Sequence, residues 1–181
     1  MNANMTTKIT LKGLLLRPFE GRDAPAFTKA VLESVETVGK WMPWCHAGYT
    51  DKDALDWFAL CRQSREAKTA YEFGIFSEDG TEFLGGAGLN EVKKQHGVCN
   101  LGYWVRQSRH RQNIATRCVQ ALSQHAFETL AMHRTEIVVA VGNLPSEGVA
   151  RKSGALFESV ARNRLFIHGQ SVPASVFSLI P

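Results

Sequence analysis

The chain has 181 residues, 44% of them hydrophobic and 21% charged, the balance of a soluble globular core of ordinary domain size. Its longest apolar runs, around residues 13–16 and 137–141, fall far short of the roughly 20 residues that span a bilayer, which excludes a transmembrane helix. A formal net charge of +4 is too small to imply a nucleic-acid partner by itself, so what matters is where the charge sits.

It sits in one place: Arg106, Arg109, Arg111 and Arg117, with His110 among them, crowd into a short stretch. The N-terminal Met-Asn-Ala-Asn-Met-Thr-Thr-Lys lacks the charged start, apolar middle and small-residue cleavage site of a signal peptide, so a cytoplasmic protein is expected. Cys45, Cys61, Cys99 and Cys118 are widely scattered and read as reduced, mostly buried thiols. His46, His96, His125, His133 and His168 show no paired ligand spacing, and no metal site is expected.

In chain order, residues 8–17 read as a Leu-rich strand closed by Pro18. Residues 23–38 read as a helix with Phe27, Ala30, Val31, Ser34, Val35 and Val38 on one face and Asp23 as its cap. An aromatic linker, Trp41-Met42-Pro43-Trp44, leads to Thr50-Asp51-Lys52-Asp53, the capped start of a second helix that turns Leu55, Phe58 and Cys61 inward. Tyr71, Phe73 and Ile75 alternate, and Ser77-Glu78-Asp79-Gly80 turns the chain into residues 83–89, giving an antiparallel hairpin. The glycines at 85, 86 and 88 suggest a bulge or a close backbone approach. Residues 91–97 make a turn, and residues 98–105 form the next strand.

From Ala115 the period changes to helical, with Cys118, Val119, Leu122, Ala126 and Leu130 on the apolar stripe. Residues 136–141 suit a strand covered on both faces. Pro145 begins a helix that Gly154 ends, and residues 156–166 and 172–179 pair across His168-Gly169-Gln170. No repeat or long linker divides the chain, so residues 1–181 are expected to form a single domain.

The centre of this order is strand, basic loop, helix. A helix N-terminus presents unpaired N–H groups and about half a positive charge, so anions bind there readily. The loop 108–113 leads into such an end at residues 114–116. As a lone charge run it would read as a solvated turn; its coincidence with a helix start favours reading it as an anion site.

Leu101-Gly-Tyr-Trp-Val-Arg106, then Arg109-His-Arg-Gln-Asn-Ile-Ala-Thr116, Val141-Gly-Asn-Leu-Pro-Ser146 and Lys152-Ser-Gly-Ala-Leu-Phe157 resemble the GNAT superfamily of acetyl-CoA-dependent acetyltransferases, and within it the RimJ/RimL-type branch. The resemblance runs from Leu16-Arg-Pro18 to the final strand. It implies an α/β (α+β) fold, one GNAT-like domain with a mixed, mainly antiparallel central sheet flanked by helices. It implies transfer of acetyl from acetyl-CoA directly to a primary amine, on a protein N-terminus or a small molecule. It also leaves open a GNAT-fold acyl-CoA-binding or regulatory module with little turnover. A homodimer is a further possibility from relatives; a nucleic-acid or membrane partner is not expected.

By that resemblance the pyrophosphate lies on His110, Arg111, Gln112, Asn113, Ile114, Ala115 and Thr116, with Arg109 just ahead. Asn113 stands where the family has glycine, and asparagine is the non-glycine residue that best tolerates a left-handed backbone. Tyr103, Trp104 and Val105 offer backbone groups to the pantetheine arm, admitted by a splay between their strand and the next. Asn143 orients the arm or acceptor and Ser146 protonates the departing thiolate, although both also suit a helix cap and first turn. An ammonium has no lone pair, so a base is needed. The family's glutamate before Leu-Gly-Tyr-Trp is Asn100 here; Glu91 is the nearest carboxylate in the sequence reading, with an exposed turn residue as its other identity. Trp41 and Trp44 either pack the N-terminal helices or line the acceptor pocket.

Overall fold

The computed structural model describes residues 7–181. The absence of a signal peptide from the first residues is therefore an expectation that lies largely outside the described part. Eight strands form one sheet in the order β1-β2-β3-β4-β5-β6-β8-β7. They are β1 (Ile9–Leu11), β2 (Leu14–Arg17), β3 (Tyr71–Ser77), β4 (Phe83–Lys93), β5 (Val98–Val105), β6 (Arg134–Ala140), β7 (Leu156–Ile167) and β8 (Gln170–Leu179). Every neighbouring pair is antiparallel except β5 with β6. The mixed, mainly antiparallel sheet expected from the sequence is present.

Helices α1 (Ala24–Glu33) and α2 (Asp51–Ala67) pack with Phe76 and Phe83 into one apolar cluster. Helices α3 (Ile114–Glu128) and α4 (Leu144–Lys152) pack on a larger cluster built from Tyr71, Phe73, Ile75, Leu89, Leu101 and Ile137. The alternation along β3 separates the two layers, because successive side chains of a strand point to opposite faces. The stripe expected on α3 is buried at Cys118, Val119, Leu122 and Ala126. The box expected at α2 is formed: Thr50 accepts from the Asp53 N–H, and the Asp53 carboxylate accepts from the Thr50 N–H at 2.8 Å.

Several boundaries differ, each for a local reason. Residues 8–17 are two strands rather than one, split at Lys12–Gly13, where Gly13 takes φ +78°. Asp23 does not cap α1 with its side chain. It accepts from the Glu20 N–H and holds the Arg17 guanidinium at 2.7 and 2.8 Å, a buried pair that fixes the corner between β2 and α1. Helix α1 stops at Glu33, where Ser34 leaves helical geometry (φ −109°, ψ 8°), and the chain continues in turns so tight that a Cβ on Gly39 would lie 2.3 Å from the Val35 and Cys45 carbonyl oxygens. Leu55 is exposed, while Phe58 and Cys61 are buried. Strand β4 runs on through Glu91, which bulges at φ +48°, and only residues 94–96 turn. Strand β6 is buried at Ile137, Val139 and Ala140 but half-exposed at Glu136 and Val138, so its cover is one-sided.

One topological fact positions the site. The parallel pairing of β5 and β6 covers only Val98–Arg134, Cys99–Thr135 and Asn100–Glu136. Beyond that, Leu101 to Val105 keep their β4 partners but have no β6 partners, so the sheet opens into a slot at its middle.

Candidate active site

The loop after β5 reaches α3 through a short helical turn, Gln107–Arg109. Arg111 and Asn113 both take left-handed φ, +62° and +59°, a conformation most side chains avoid. Asn113 makes no side-chain cap to α3. Among the described residues, none of the N–H groups of residues 111–116 donates to a protein acceptor. Successive unpaired amides at a helix N-terminus form an anion cradle.

The basic cluster around this cradle is mostly spoken for. The Arg106 Nη2 pairs with Glu33, its Nε donates to the same carboxylate at 2.9 Å, and its Nη1 donates to the Phe83 carbonyl at 3.0 Å. Arg109 holds Glu82 in a bidentate pair, both bonds 2.8 Å. Arg117 donates to the Lys12 carbonyl. His110 places Nε2 2.8 Å from the Val105 carbonyl oxygen. Arg111 is exposed, with no ion pair among the described residues. Two of the four arginines, Arg106 and Arg109, are thus neutralised by Glu33 and Glu82, while Arg111 and Arg117 have no acidic partner among the described residues and remain as cations beside the backbone amides. Gln112 is exposed, Ala115 half-buried, and Ile114 and Thr116 are buried in the first turn of α3.

Across the slot, α4 presents its N-terminus. Asn143 caps it, its Oδ1 accepting the Ser146 N–H at 3.3 Å. The Tyr103 hydroxyl donates to the Ser146 carbonyl at 2.9 Å and lies 3.0 Å from Ser146 Oγ. Burial pushes the Tyr103 phenol up to about 12, partly offset by the Ser146 bond, so it stays protonated at neutral pH. Asn143, Ser146 and Tyr103 are therefore brought together.

On the α1/α2 face a cavity of about 330 Å³ opens beside Gly102 and Tyr103. Its walls include Phe27, Trp44, Tyr49, Trp57 and Trp104. Trp104 directs its ring into this aromatic group, 5.5 Å from Phe27 and 5.3 Å from Trp44, while Val105 is buried in the other cluster. Trp41 is not on the wall; the Lys40 ammonium sits 4.9 Å from its ring.

The carboxylate in this cavity is Glu72, not Glu91. Glu91 is exposed on the β4 bulge, 3.8 Å from Arg164, and does not line the cavity. Glu72 stands on β3, and its Oε1 accepts from Asn90 Nδ2 at 3.1 Å. Asn90 Oδ1 in turn accepts from Asn100 Nδ2 at 2.8 Å. Sequence reasoning passed over Glu72, although a charge between Tyr71 and Phe73, on a strand facing a glycine-rich partner, was a usable signal.

The acetyltransferase (GNAT) domain family matches residues 13–156. The "Putative ribosomal N-acetyltransferase YdaF" of Bacillus subtilis (strain 168) is 26% identical over 172 residues, covering 92% of this chain and 91% of its own. A solved structure described as a "putative ribosomal-protein-serine acetyltransferase" from Vibrio cholerae is 29% identical with a TM-score of 0.86, covering 97% of this chain and 98% of its own. RimL, the ribosomal L7/L12 alpha-N-protein acetyltransferase solved with coenzyme A, shares the fold at a TM-score of 0.86 and 20% identity, over 95% of this chain and 96% of its own. A slotted sheet, an amide cradle at the head of α3 and a family match over most of the length agree: the chain belongs to the GNAT acetyltransferase family.

Proposed function

We propose that the amine acetylated by this N-acetyltransferase is the free α-amine of a protein N-terminus, with acetyl-CoA as the donor. The observation that carries the reading is the end of β5–β6 pairing at Asn100 and Glu136. It leaves a slot with the amide cradle at one end and the aromatic cavity on the opposite face of the sheet. The names of the full-length relatives, both of them ribosomal-protein acetyltransferases, support a peptide acceptor.

In this reading the residue 111–116 amides hold the donor's pyrophosphate, with the Arg111 side chain as an added contact and the His110 ring fixing the loop against Val105. Arg109 acts through Glu82, holding the loop rather than touching phosphate. The unpaired edge of β5 at Tyr103, Trp104 and Val105 carries the pantetheine amides. Asn143, as the α4 cap, sets the position of Ser146. Ser146 and Tyr103 share a hydrogen bond, so either hydroxyl protonates the departing thiolate and is resupplied by the other. Four buried, unpaired thiols support a reducing compartment such as the cytoplasm.

The test is release of coenzyme A thiol from acetyl-CoA in the presence of peptides with a free N-terminus, against the same peptides already N-acetylated and a panel of small amines. Turnover confined to free-N-terminal peptides is the expected result. Turnover only on small amines overturns the acceptor, and acetyl-CoA binding without turnover on any amine marks a binding module.

A further inference from the structure

We propose that Glu72 is the group that receives the acceptor ammonium and takes its proton, a role resting on the N-acetyltransferase reading above. In the sheet Glu72 pairs with Gly88 on β4, and Gly88 pairs with Gly102 on β5. All three point to the α1/α2 face. A Cβ on Gly88 would lie 1.8 Å from Glu72 Oε2 and 2.4 Å from its Cδ, so the carboxylate lies directly over that glycine. The side chain therefore crosses β4 toward β5, ending about one strand spacing, ~5 Å, from the strand that borders the slot. Beside Gly102 the floor is open apart from Asn90 Nδ2, 3.9 Å from where a Cβ would stand.

A chain of two amides holds the carboxylate there. Asn100 donates to Asn90, and Asn90 donates to one oxygen of Glu72, which leaves the other oxygen over the glycine floor. The surrounding walls are aromatic, the environment in which a primary ammonium is attracted to ring faces and a single carboxylate sets its position. The charged and titratable groups that share Glu72's surroundings are Arg65 and Cys61 on α2 and Tyr49 on the linker, and a second cavity that Glu72 also lines adds Lys8, Arg17, Glu20 and Arg62. Arg65 donates to the Glu72 backbone carbonyl at 2.7 Å. Burial raises the Glu72 carboxyl above the ordinary carboxylate range, against the lowering by Asn90 and Arg65.

The proton count closes. Glu72 takes one proton from the bound ammonium, and the freed lone pair forms the nitrogen–carbon bond to the acetyl carbonyl. The carbon–sulfur bond breaks with its electron pair on sulfur. The nitrogen's remaining surplus proton leaves to solvent while Ser146 or Tyr103 protonates the thiolate and is itself reprotonated from solvent. Glu72 then releases its proton to water, so one net proton appears per acetyl group transferred.

The experiment is kcat/KM against pH for wild type, Glu72→Gln and Glu72→Asp on one free-N-terminal peptide, with acetyl-CoA affinity measured separately. A free α-amine has a pKa of about 7.7–8.0. An enzyme that deprotonates the bound ammonium keeps its rate below that pH. One lacking the base must wait for neutral amine and loses about tenfold per pH unit below it. The wild-type advantage over Glu72→Gln is therefore expected to be about 10²-fold larger at pH 6 than at pH 9, with Glu72→Asp intermediate and acetyl-CoA affinity within twofold throughout. Superimposable pH profiles for wild type and Glu72→Gln overturn the role of Glu72 while leaving the acetyltransferase reading intact. A wild type that binds acetyl-CoA and acetylates no amine overturns both.

Discussion

Glu33, the last residue of α1, grips both Arg106 at the end of β5 and the turn that follows. Besides the Arg106 guanidinium it accepts from the Ser108 N–H at 3.1 Å and the Ser108 hydroxyl at 2.7 Å. One residue on, Ser34 Oγ accepts from the Gln107 N–H at 3.0 Å. A helix on the side of the aromatic cavity thus fixes the loop that leads into the amide cradle. The contacts hold the Glu33 carboxyl down to about 2 from 4.5, the Arg106 hydrogen bond first among them. A carboxylate lowered in the folded state contributes stability that is present above its unfolded pKa and is lost as pH falls toward the folded one.

Replacing Glu33 with Gln is therefore expected to cost about 1–3 kcal/mol at pH 7, the range for a charged hydrogen-bond network. The difference from wild type shrinks as pH falls below 4.5 toward 2. Urea unfolding at a series of pH values measures this. The same variant is expected to bind acetyl-CoA more weakly, because the turn at residues 107–109 loses its anchor.

Asn113 sits at φ +59° at the head of α3 without capping it, so its side chain tolerates the backbone rather than adding a bond. Asn113→Gly is expected to leave or slightly improve both stability and acetyl-CoA affinity. Asn113→Val, β-branched in a left-handed conformation, is expected to cost about 1–2 kcal/mol and to weaken acetyl-CoA binding. Thermal unfolding and calorimetric titration separate the two effects.

What the sequence made legible followed from periodicity and spacing. The α3 stripe, the Thr50 box, the β5 span and the β7–β8 hairpin all appear where local pattern dictates them. The charge reading left out the carboxylate partners of Arg106 and Arg109, because a run of arginines carries no record of its partners. Glu33 lies 73 residues from Arg106 and Glu82 lies 27 from Arg109, and only the fold brings them together. Glu72 left a local signal, a charge between Tyr71 and Phe73, but not its role. Its significance depends on lying over Gly88 and on the Asn90–Asn100 relay, relationships of strand register that no single segment displays.

Ser146 and Tyr103 differ in what their removal leaves behind. Ser146→Ala keeps the Tyr103 bond to the residue 146 carbonyl, whereas Tyr103→Phe removes both contacts to α4. Both are expected to lower kcat while KM for acetyl-CoA moves little, with losses of about 10²-fold for the double variant and less for each alone. Near-additive losses in the single variants would show that the hydroxyls act independently rather than as one proton path.

The glycines of β4 give a separation of fold from chemistry. Gly85 takes φ +153°, and a Cβ there would meet the Trp104 carbonyl oxygen at 2.2 Å, backbone that cannot step aside. Gly85→Ala is expected to destabilise the protein, lowering its thermal midpoint and every activity together. Gly88 is crowded only by the far end of the Glu72 side chain, which can swing away. Gly88→Ala is expected to fold with a thermal midpoint close to wild type and to bind acetyl-CoA normally. Its turnover should fall with the same pH signature as Glu72→Gln, because the methyl group occupies the place of the carboxylate. Parallel measurement of midpoint, acetyl-CoA affinity and kcat/KM at pH 6 and 9 checks both variants. A Gly88→Ala enzyme with wild-type turnover at both pH values would mean that the carboxylate works from another position.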